Sequence, residues 1–508
     1  MPLIQWEILV AMSASLGTGA GRDNPSIAML QSVPASAAPA APASSASPGS
    51  SAPLGDPAVR ELISALEQRL TEPTARGLSQ AVGAAIRDGV LVPGTRLPPI
   101  RTVAAQLTLS PTTVSAGWAL LARAGSVRTD GRRGTRVVDT SLPGASRYRS
   151  ALERQAEMRL DLSTGVPDAG LLPNLRVALE HLTTAGTPGS YLDEPVLPEL
   201  MAVLRQDWPC VVADLTVVDG AMDGLDLVAR TALRFGDRVV VEQPTFPPLV
   251  DLLESVGVVL LPVGMDTEGM TTEGLTDALA SPVVAVFLQP RAHNPTGVTL
   301  SERRARELAS LLAGRTTLVV EDDSAAGIAL TPPLSLGRWI PDRTVHVRSF
   351  SKSHGPDLRL AAMSGPPDVM AAVESRRHVG QGWSSRLLQR ILLSLLTDPE
   401  AIAAVANASD EYARRRGALV DALARHDVLV GGTDGLNIWV PVHDEAAAMV
   451  RLASEGIGVA PGKAFTVRPS GQDHVRVTAG LVPVARADEV ARVLAAAART
   501  TAWRPRTR

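Results

Sequence analysis

Lysine is almost missing from this chain. Of its 49 lysine and arginine residues, only Lys352 and Lys463 are lysines. Arginine carries plain positive charge everywhere else, so a lysine kept between two serines is expected to do what arginine cannot. Arginine stays charged, whereas a desolvated lysine amine can lose its proton and attack a carbonyl. Cysteine is scarcer still: the lone Cys210 excludes an intrachain disulfide framework and fits a reducing cytoplasm. Aromatic residues are only 3% of the chain, with five phenylalanines. No run is long and apolar enough to span a membrane. The first residues carry Glu7, lack a basic start and show no A-x-A site, which argues against a secretory signal. No metal site is expected.

What is present is ordinary in bulk and uneven in detail. At 508 residues, 45% hydrophobic and 20% charged, the chain has material for two or three globular domains. Net charge is −3, yet residues 71–138 hold nine arginines against three acids, a local +6 that leaves −9 for the remainder. A basic segment on an acidic body points to an anionic partner for that segment.

Residues 1–58 are rich in Ala, Pro, Ser and Gly, close to low complexity over Ser36–Ala52, and are expected to be a disordered tail. From Val59 the period changes. Val59, Leu62, Ile63, Leu66 and Leu70 recur at helical spacing, and Leu78, Val82, Ala85 and Ile86 predict a second helix. A third spans Arg101–Leu107. After a short turn, Ser110 is placed to cap a fourth, with Pro111 at its first position. Two strands, Ser126–Arg128 and Thr135–Val138, flank a glycine-bearing turn. Helix, turn, capped helix and basic hairpin make a winged helix-turn-helix. Its second helix would enter the major groove of a double-stranded DNA operator, bringing Ser110, Thr112 and Thr113 near phosphates or base edges. Arg101 would reach phosphate or guanine, and Arg132 and Arg133 at the wing tip would meet phosphate or the minor groove. The stretches Gly89–Arg101, Leu109–Val114 and Gly131–Val137 resemble the GntR-type DNA-binding domain, here assigned to residues 59–138. The family's usual Ser and Arg are replaced by Pro99 and Pro111, and the second change removes one expected DNA contact.

Residues 139–158 read as a linker. Beyond it, over 159–503, short β-branched runs (Leu215–Val218, Arg238–Val241, Val283–Leu288, Thr317–Val320, Thr344–Val347) alternate with helical patterns, which predicts a parallel sheet covered on both faces. A smaller part from Leu423 carries strands near Leu436–Val440, Gly458–Ala460 and Val475–Thr478.

The chemistry gathers in this body. Ser349, Ser351 and Arg359 surround Lys352 in sequence with donors suited to a phosphate dianion. An amine beside a phosphate site is what pyridoxal 5′-phosphate (PLP) requires. Gly220, Ala221 and Met222 follow a strand and open a helix, where backbone N–H groups can meet a phosphate. Phe246, between prolines, can stack on a pyridine ring, and Asn294 can donate to a phenolic oxygen. A carboxylate of Glu321-Asp322-Asp323, ending a strand, can keep a pyridine nitrogen protonated. Taken singly, each has a plain alternative: a common helix start, a core phenylalanine, an ordinary turn, a solvated acidic turn.

Jointly these motifs resemble the fold-type-I aminotransferase domain. The resemblance implies that Lys352 forms an internal aldimine with PLP, that Asp322 pairs with the ring nitrogen, and that Gly220, Ala221, Met222, Ser349, Ser351 and Arg359 form the phosphate cup. It also implies that Tyr191 reaches the phosphate of the neighbouring subunit in a homodimer, and that Arg476 binds an effector or substrate carboxylate. Ser324 replaces the tyrosine usual two residues after the aspartate, and the glycine usual near Val196 is absent. A GntR-type reader followed by an aminotransferase-like domain is similar to the MocR subfamily of bacterial regulators. That implies a cytoplasmic, nucleoid-associated transcription factor that senses PLP or an amino compound by aldimine formation, without required turnover. The alternative is an active PLP-dependent aminotransferase with a DNA-binding appendage.

Overall fold

In a computed structural model, residues 57–501 are described, apart from 89, 93, 124–125, 130–133, 138–157, 184–189, 212–213 and 470. The tail before Pro57, the wing-tip Arg132 and Arg133, and nearly all of the linker lie outside the described residues.

One apolar stripe organises the first part: Leu62, Leu66, Leu78, Val82, Val103, Val114, Trp118 and Leu121 are buried together. They lie on the helices Pro57–Glu67, Ala75–Arg87, Ile100–Gln106 and Pro111–Arg123, close to the spans read from the spacing. Gly117 lets the fourth helix lie on the second, since a Cβ there would sit 3.2 Å from Leu78 Cδ2. Two strands, β1 (Val127–Thr129) and β2 (Thr135–Val137), pair antiparallel as the wing. The wing gains an edge the spacing did not reveal: the Leu97 N–H donates to the Thr135 carbonyl at 2.9 Å, and the Val137 N–H to the Thr95 carbonyl at 2.9 Å.

After β3 (Leu160–Asp161) comes an eight-stranded sheet. Its strands are β4 (Asp214–Val218), β5 (Arg238–Gln243), β6 (Val259–Asp266), β7 (Gly269–Met270), β8 (Ala285–Leu288), β9 (Leu318–Asp323), β10 (Thr344–Ser349) and β11 (Ala361–Gly365), in spatial order β4-β11-β10-β9-β8-β5-β6-β7. The centre, β10-β9-β8-β5-β6, is parallel as expected. The expected parallel sheet is this centre; at its flanks β11 runs antiparallel to both β10 and β4, and β7 antiparallel to β6. The reason is the length of the connections. No helix long enough for a crossover separates β10 from β11, so the chain turns back beside β10. The segment that makes this turn carries Lys352, which fixes the lysine at the carboxyl edge of the sheet.

Helices Arg386–Thr397 and Pro399–Ala424, which the sequence reading leaves unassigned, lead into the smaller part. There β12 (Asn437–Val442), β13 (Ile457–Gly458), β14 (Ala460–Pro461) and β15 (Asp473–Thr478) follow. β15 lies between β12 and β14, antiparallel to both, and β13 pairs with β3. Alternation along the strands separates two faces. Ile438, Val440, Val475 and Val477 join a core with Leu419, Leu423, Val490 and Leu494, while Trp439 and its cross-strand partner Arg476 take the other face.

The helix Glu445–Ser454 of the smaller part also touches the first four helices. Val450 is 1% exposed and packs within the stripe that holds Leu78 and Trp118. Arg76 donates to Ser454 Oγ at 2.8 Å and pairs with Glu455 at 3.4 Å. Gly83 faces Ala446 closely enough that an added Cβ would meet the alanine methyl at 3.9 Å.

Candidate functional site

Ligands of open α/β sheets lie beyond the carboxyl ends of the strands. Five such ends supply the residues here: β4 leads to Gly220, β5 to Phe246, β8 to Gln289 and Asn294, β9 ends in Asp322, and β10 runs into Ser349, Ser351 and Lys352.

The expected phosphate cup assembles in part around one glycine. Gly220 has φ +96 and precedes the helix Ala221–Ala232. A Cβ on it would lie 2.9 Å from Arg359 Nη2, so only glycine leaves the guanidinium this close to a helix N-terminus. Arg359 itself, in the left-handed region at φ 49, donates to the Asp219 carbonyl at 3.3 Å. Ser349 is buried, and its Oγ accepts the Ser351 N–H at 3.3 Å. The Met222 side chain packs against the apolar core, so only its backbone can serve an anion.

Next to this cup lies a buried polar group of four residues. Gln289 Nε2 donates to Asp322 Oδ2 at 2.6 Å, and Gln289 Oε1 accepts the Asn294 N–H at 2.7 Å. The Gln289 N–H donates to Glu242 Oε2 at 2.8 Å. Asp322 Oδ1 is buried with no hydrogen-bond partner. Burial pushes the Asp322 carboxyl up to about 6, against the Gln289 hydrogen bond and the charge of Lys352. Burial likewise lifts Glu242 to about 8 and drops His293 to about 3. Their 3.4 Å approach is therefore an ion pair by distance only, because both groups are neutral at pH 7.

Lys352 is half-buried. Its amine pKa is lowered, first by desolvation and further by Arg476, with Asp322 opposing. Arg476 is 1% exposed, donates to the Ser163 carbonyl and to Asn294 Oδ1, and lies over the Phe465 ring at 5.3 Å. Phe246 packs against Phe465 as well, at the start of the helix Pro247–Val256. Asn294 Oδ1 also accepts from Asn437 Nδ2 at 3.3 Å, which leaves the Asn294 amide nitrogen as its outward donor.

The donor set fits PLP. A lone buried carboxylate oxygen suits a protonated ring nitrogen, a glycine-lined cradle under an arginine suits a phosphate, and a desolvated amine suits an aldehyde. Asp322 and its neighbours in sequence divide by face. Glu321 and Asp323 turn to His346, at 2.8 Å and 3.7 Å, and Arg291 closes on Asp323 at 2.6 Å.

Other expected residues lie elsewhere. Tyr191 is 89% exposed, edge-on to Trp383 at 5.9 Å. Ser324 is half-buried and Val196 buried. In the reader, Arg101 is exposed in the first turn of its helix. Ser110 Oγ lies 2.7 Å from both Thr112 Oγ1 and Thr113 Oγ1 and accepts the Thr113 N–H at 2.9 Å, so the three hydroxyls form one exposed cluster at the helix start. Sequence reasoning missed Gln289, Glu242, Asn437 and Phe465. The rule that singled out Asp322 covers Glu242, near the end of β5, and Gln289, one residue past β8.

Two family descriptions match the chain. "Aminotransferase class I and II" covers residues 157–494, and "Bacterial regulatory proteins, gntR family" covers residues 74–137. The chain is 35% identical over 418 residues to the vitamin B6 salvage pathway transcriptional repressor PtsJ of Salmonella typhimurium, a match spanning 80% of this chain and 94% of that one. It is 28% identical to the HTH-type transcriptional regulator TauR of Rhodobacter capsulatus, over 76% of this chain and 88% of that one. Among solved structures, the multiple substrate aminotransferase of Thermococcus profundus superposes with a TM-score of 0.64 at 23% identity, covering 70% of this chain and 95% of that one. The kynurenine aminotransferase of Pyrococcus horikoshii, solved with PMP, gives 0.63 at 22%, covering 70% and 94%. At that identity the likeness is one of fold.

Proposed function

The chain belongs to the aminotransferase class I and II family and carries a gntR-family regulatory domain ahead of it, and from that premise we propose a PLP-dependent, DNA-binding transcriptional regulator in which residues 59–138 read the operator and residues 159–503 sense PLP. The observation that carries the sensing half is the bare, buried Asp322 Oδ1 close enough to the desolvated Lys352 amine for each charge to act on the other. PLP supplies an aldehyde that condenses with amines and a ring that withdraws electrons.

The chain's own groups have separable tasks. Lys352 presents an amine whose charged form desolvation disfavours. Asp322 holds a proton on the ring nitrogen, Asn294 donates to the phenolic oxygen, and Phe246 covers the ring. Gly220, Ala221, Met222, Ser349, Ser351 and Arg359 hold the phosphate. Arg476 offers its guanidinium to the carboxylate of an amino-compound effector. Tyr191, 89% exposed and edge-on to Trp383 at 5.9 Å, with the exposed Leu192 next to it in sequence, supports a homodimer in which Tyr191 reaches across. Arg101, Ser110, Thr112 and Thr113, with Arg132 and Arg133 of the wing, meet DNA. The family and the reducing-compartment cysteine usage favour the cytoplasm of a bacterium, at the nucleoid.

Regulation needs no turnover, only that PLP binds one arrangement of the two halves more tightly than another. The relative's printed role in vitamin B6 salvage supports PLP as the effector. A second reading, an active aminotransferase with a DNA-binding appendage, is favoured by Asp322 and Arg476 both lying within charge range of Lys352. One experiment addresses both: operator selection with the full chain, with and without PLP, for the native protein and Lys352→Ala, beside a keto-acid assay on an amino-acid panel. Native protein should take up PLP with visible colour and change its DNA affinity. Lys352→Ala should bind DNA but lose the colour and the response. Steady multiple turnover would favour the second reading, and a native protein indifferent to PLP would overturn the first.

A further inference from the structure

Asp322 and Asn294 come from different strand ends, yet one side chain ties them together. Gln289 is 4% exposed, and its amide has a single consistent orientation. Oε1 must face the Asn294 N–H, so Nε2 faces Asp322 Oδ2; the flipped amide would set oxygen against carboxylate. Its own N–H is fixed on Glu242, 47 residues earlier at the end of β5. Three strand ends, those of β5, β8 and β9, are thus joined through this residue. With Oδ2 held at 2.6 Å, the Asp322 carboxylate cannot rotate freely, and the partnerless Oδ1 is aimed at a fixed point.

We propose that Gln289 is a positioning residue of the PLP site: it locks the ring-nitrogen partner Asp322 and the phenolic-oxygen partner Asn294 into one rigid unit, and so sets the protonation of the bound ring. The inference rests on the PLP reading above. The donated hydrogen bond favours the Asp322 anion, as do the charges of Lys352 and His346, while burial and Asp323 oppose it. With the amide removed, the balance tips toward the neutral acid. A neutral or misaligned Asp322 holds the ring proton less well. The ring then withdraws less charge, and the nitrogen attached at Lys352 becomes more basic.

The test uses the full chain loaded with PLP, comparing native protein, Gln289→Met and Gln289→Asn. Methionine keeps the length and loses both hydrogen bonds; asparagine keeps the amide but is too short to hold both partners. The pH midpoint of the bound cofactor's visible band should move upward by about one unit in either variant. PLP affinity should fall about ten-fold, on top of the lowered melting temperature that the unpaired Asp322 and Asn294 groups bring to the cofactor-free protein. A purely structural role would lower the melting temperature and leave the midpoint in place. If Gln289→Met does not fold, Gln289→Asn gives the same readout. A native protein that takes up no PLP would sink the PLP reading itself. A native protein that takes it up, with variants whose midpoint and affinity match it, would overturn the role of Gln289 alone.

Discussion

At the scale of single residues, the strongest constraint is burial without charge. Glu242 is 2% exposed, faces His293, Asp322 and the Gln289 N–H, and holds its proton up to about pH 8. An unfolded glutamate loses that proton near 4.5. Between those values the folded protein binds a proton that the unfolded chain has released, so stability falls as pH rises, by roughly 1.4 kcal/mol per unit at most. Above about 8 the loss is complete and the slope ends. Glu242→Gln keeps an acceptor for the Gln289 N–H and cannot ionise. Denaturant unfolding of cofactor-free protein should therefore give similar stabilities for both near pH 5, with the variant gaining steadily toward pH 8. Parallel curves would mean that Glu242 is already ionised in the fold. The strand-end position of that carboxylate is legible in the sequence, but its dryness is not, for a physical reason. A glutamate near a strand end reads equally as solvent-facing, and only the three-dimensional neighbours show that it is dry. Lys352, by contrast, was legible because the chain uses arginine almost everywhere else, and Asp322 because its motif fell at a strand end.

At the scale of elements, local signals were read well where the chain itself supplies the boundary. Ser110 and Pro111 marked the start of the recognition helix, and the structure begins it there. The same serine is proposed above to meet DNA, and two substitutions separate the roles. Ser110→Ala removes the acceptor of the Thr113 N–H and should cost about 1 kcal/mol of reader stability. Ser110→Asp restores a capping oxygen and complements the helix dipole, so stability should return. It also sets a negative charge beside phosphates, so DNA affinity should fall well below that of Ser110→Ala. Equal DNA affinity in the two variants, measured by salt-dependent titration, would remove Ser110 from the DNA surface. The antiparallel β11 escaped the reading because strand–helix alternation carries no sign of strand direction. Direction is set by whether a connection is long enough to cross over, and the lysine-bearing segment is not. Wing pairing by Thr95 and Leu97 escaped because a turn rich in proline and glycine has no strand period.

At the scale of the whole molecule, the reader and the sensor share the helix Glu445–Ser454. Its first turn is tied to the strand that carries Arg476: the Glu445 N–H donates to Asp473 Oδ2 at 3.0 Å, and Asp473 begins β15. Glu445 Oε2 in turn accepts the Lys463 N–H at 2.7 Å. Its last turns hold the reader through Val450, Ser454 and the neighbouring Glu455. A movement of β15 on effector binding would therefore reach the reader through one short rigid element, which is a physical link and not mere proximity. Val450→Ser combined with Arg76→Ala should loosen that docking without touching either ligand surface. PLP uptake, followed by its visible band, should stay within about two-fold of native. The change in operator affinity that PLP causes should shrink toward none. Linkage supplies an independent check, because operator must alter PLP affinity by the same factor that PLP alters operator affinity. In native protein the two factors should agree, and in the double variant both should approach one. A double variant that keeps the full native factor in both directions would show that the coupling runs by another route, with the proposed subunit contact around Tyr191 and Trp383 as the next place to cut.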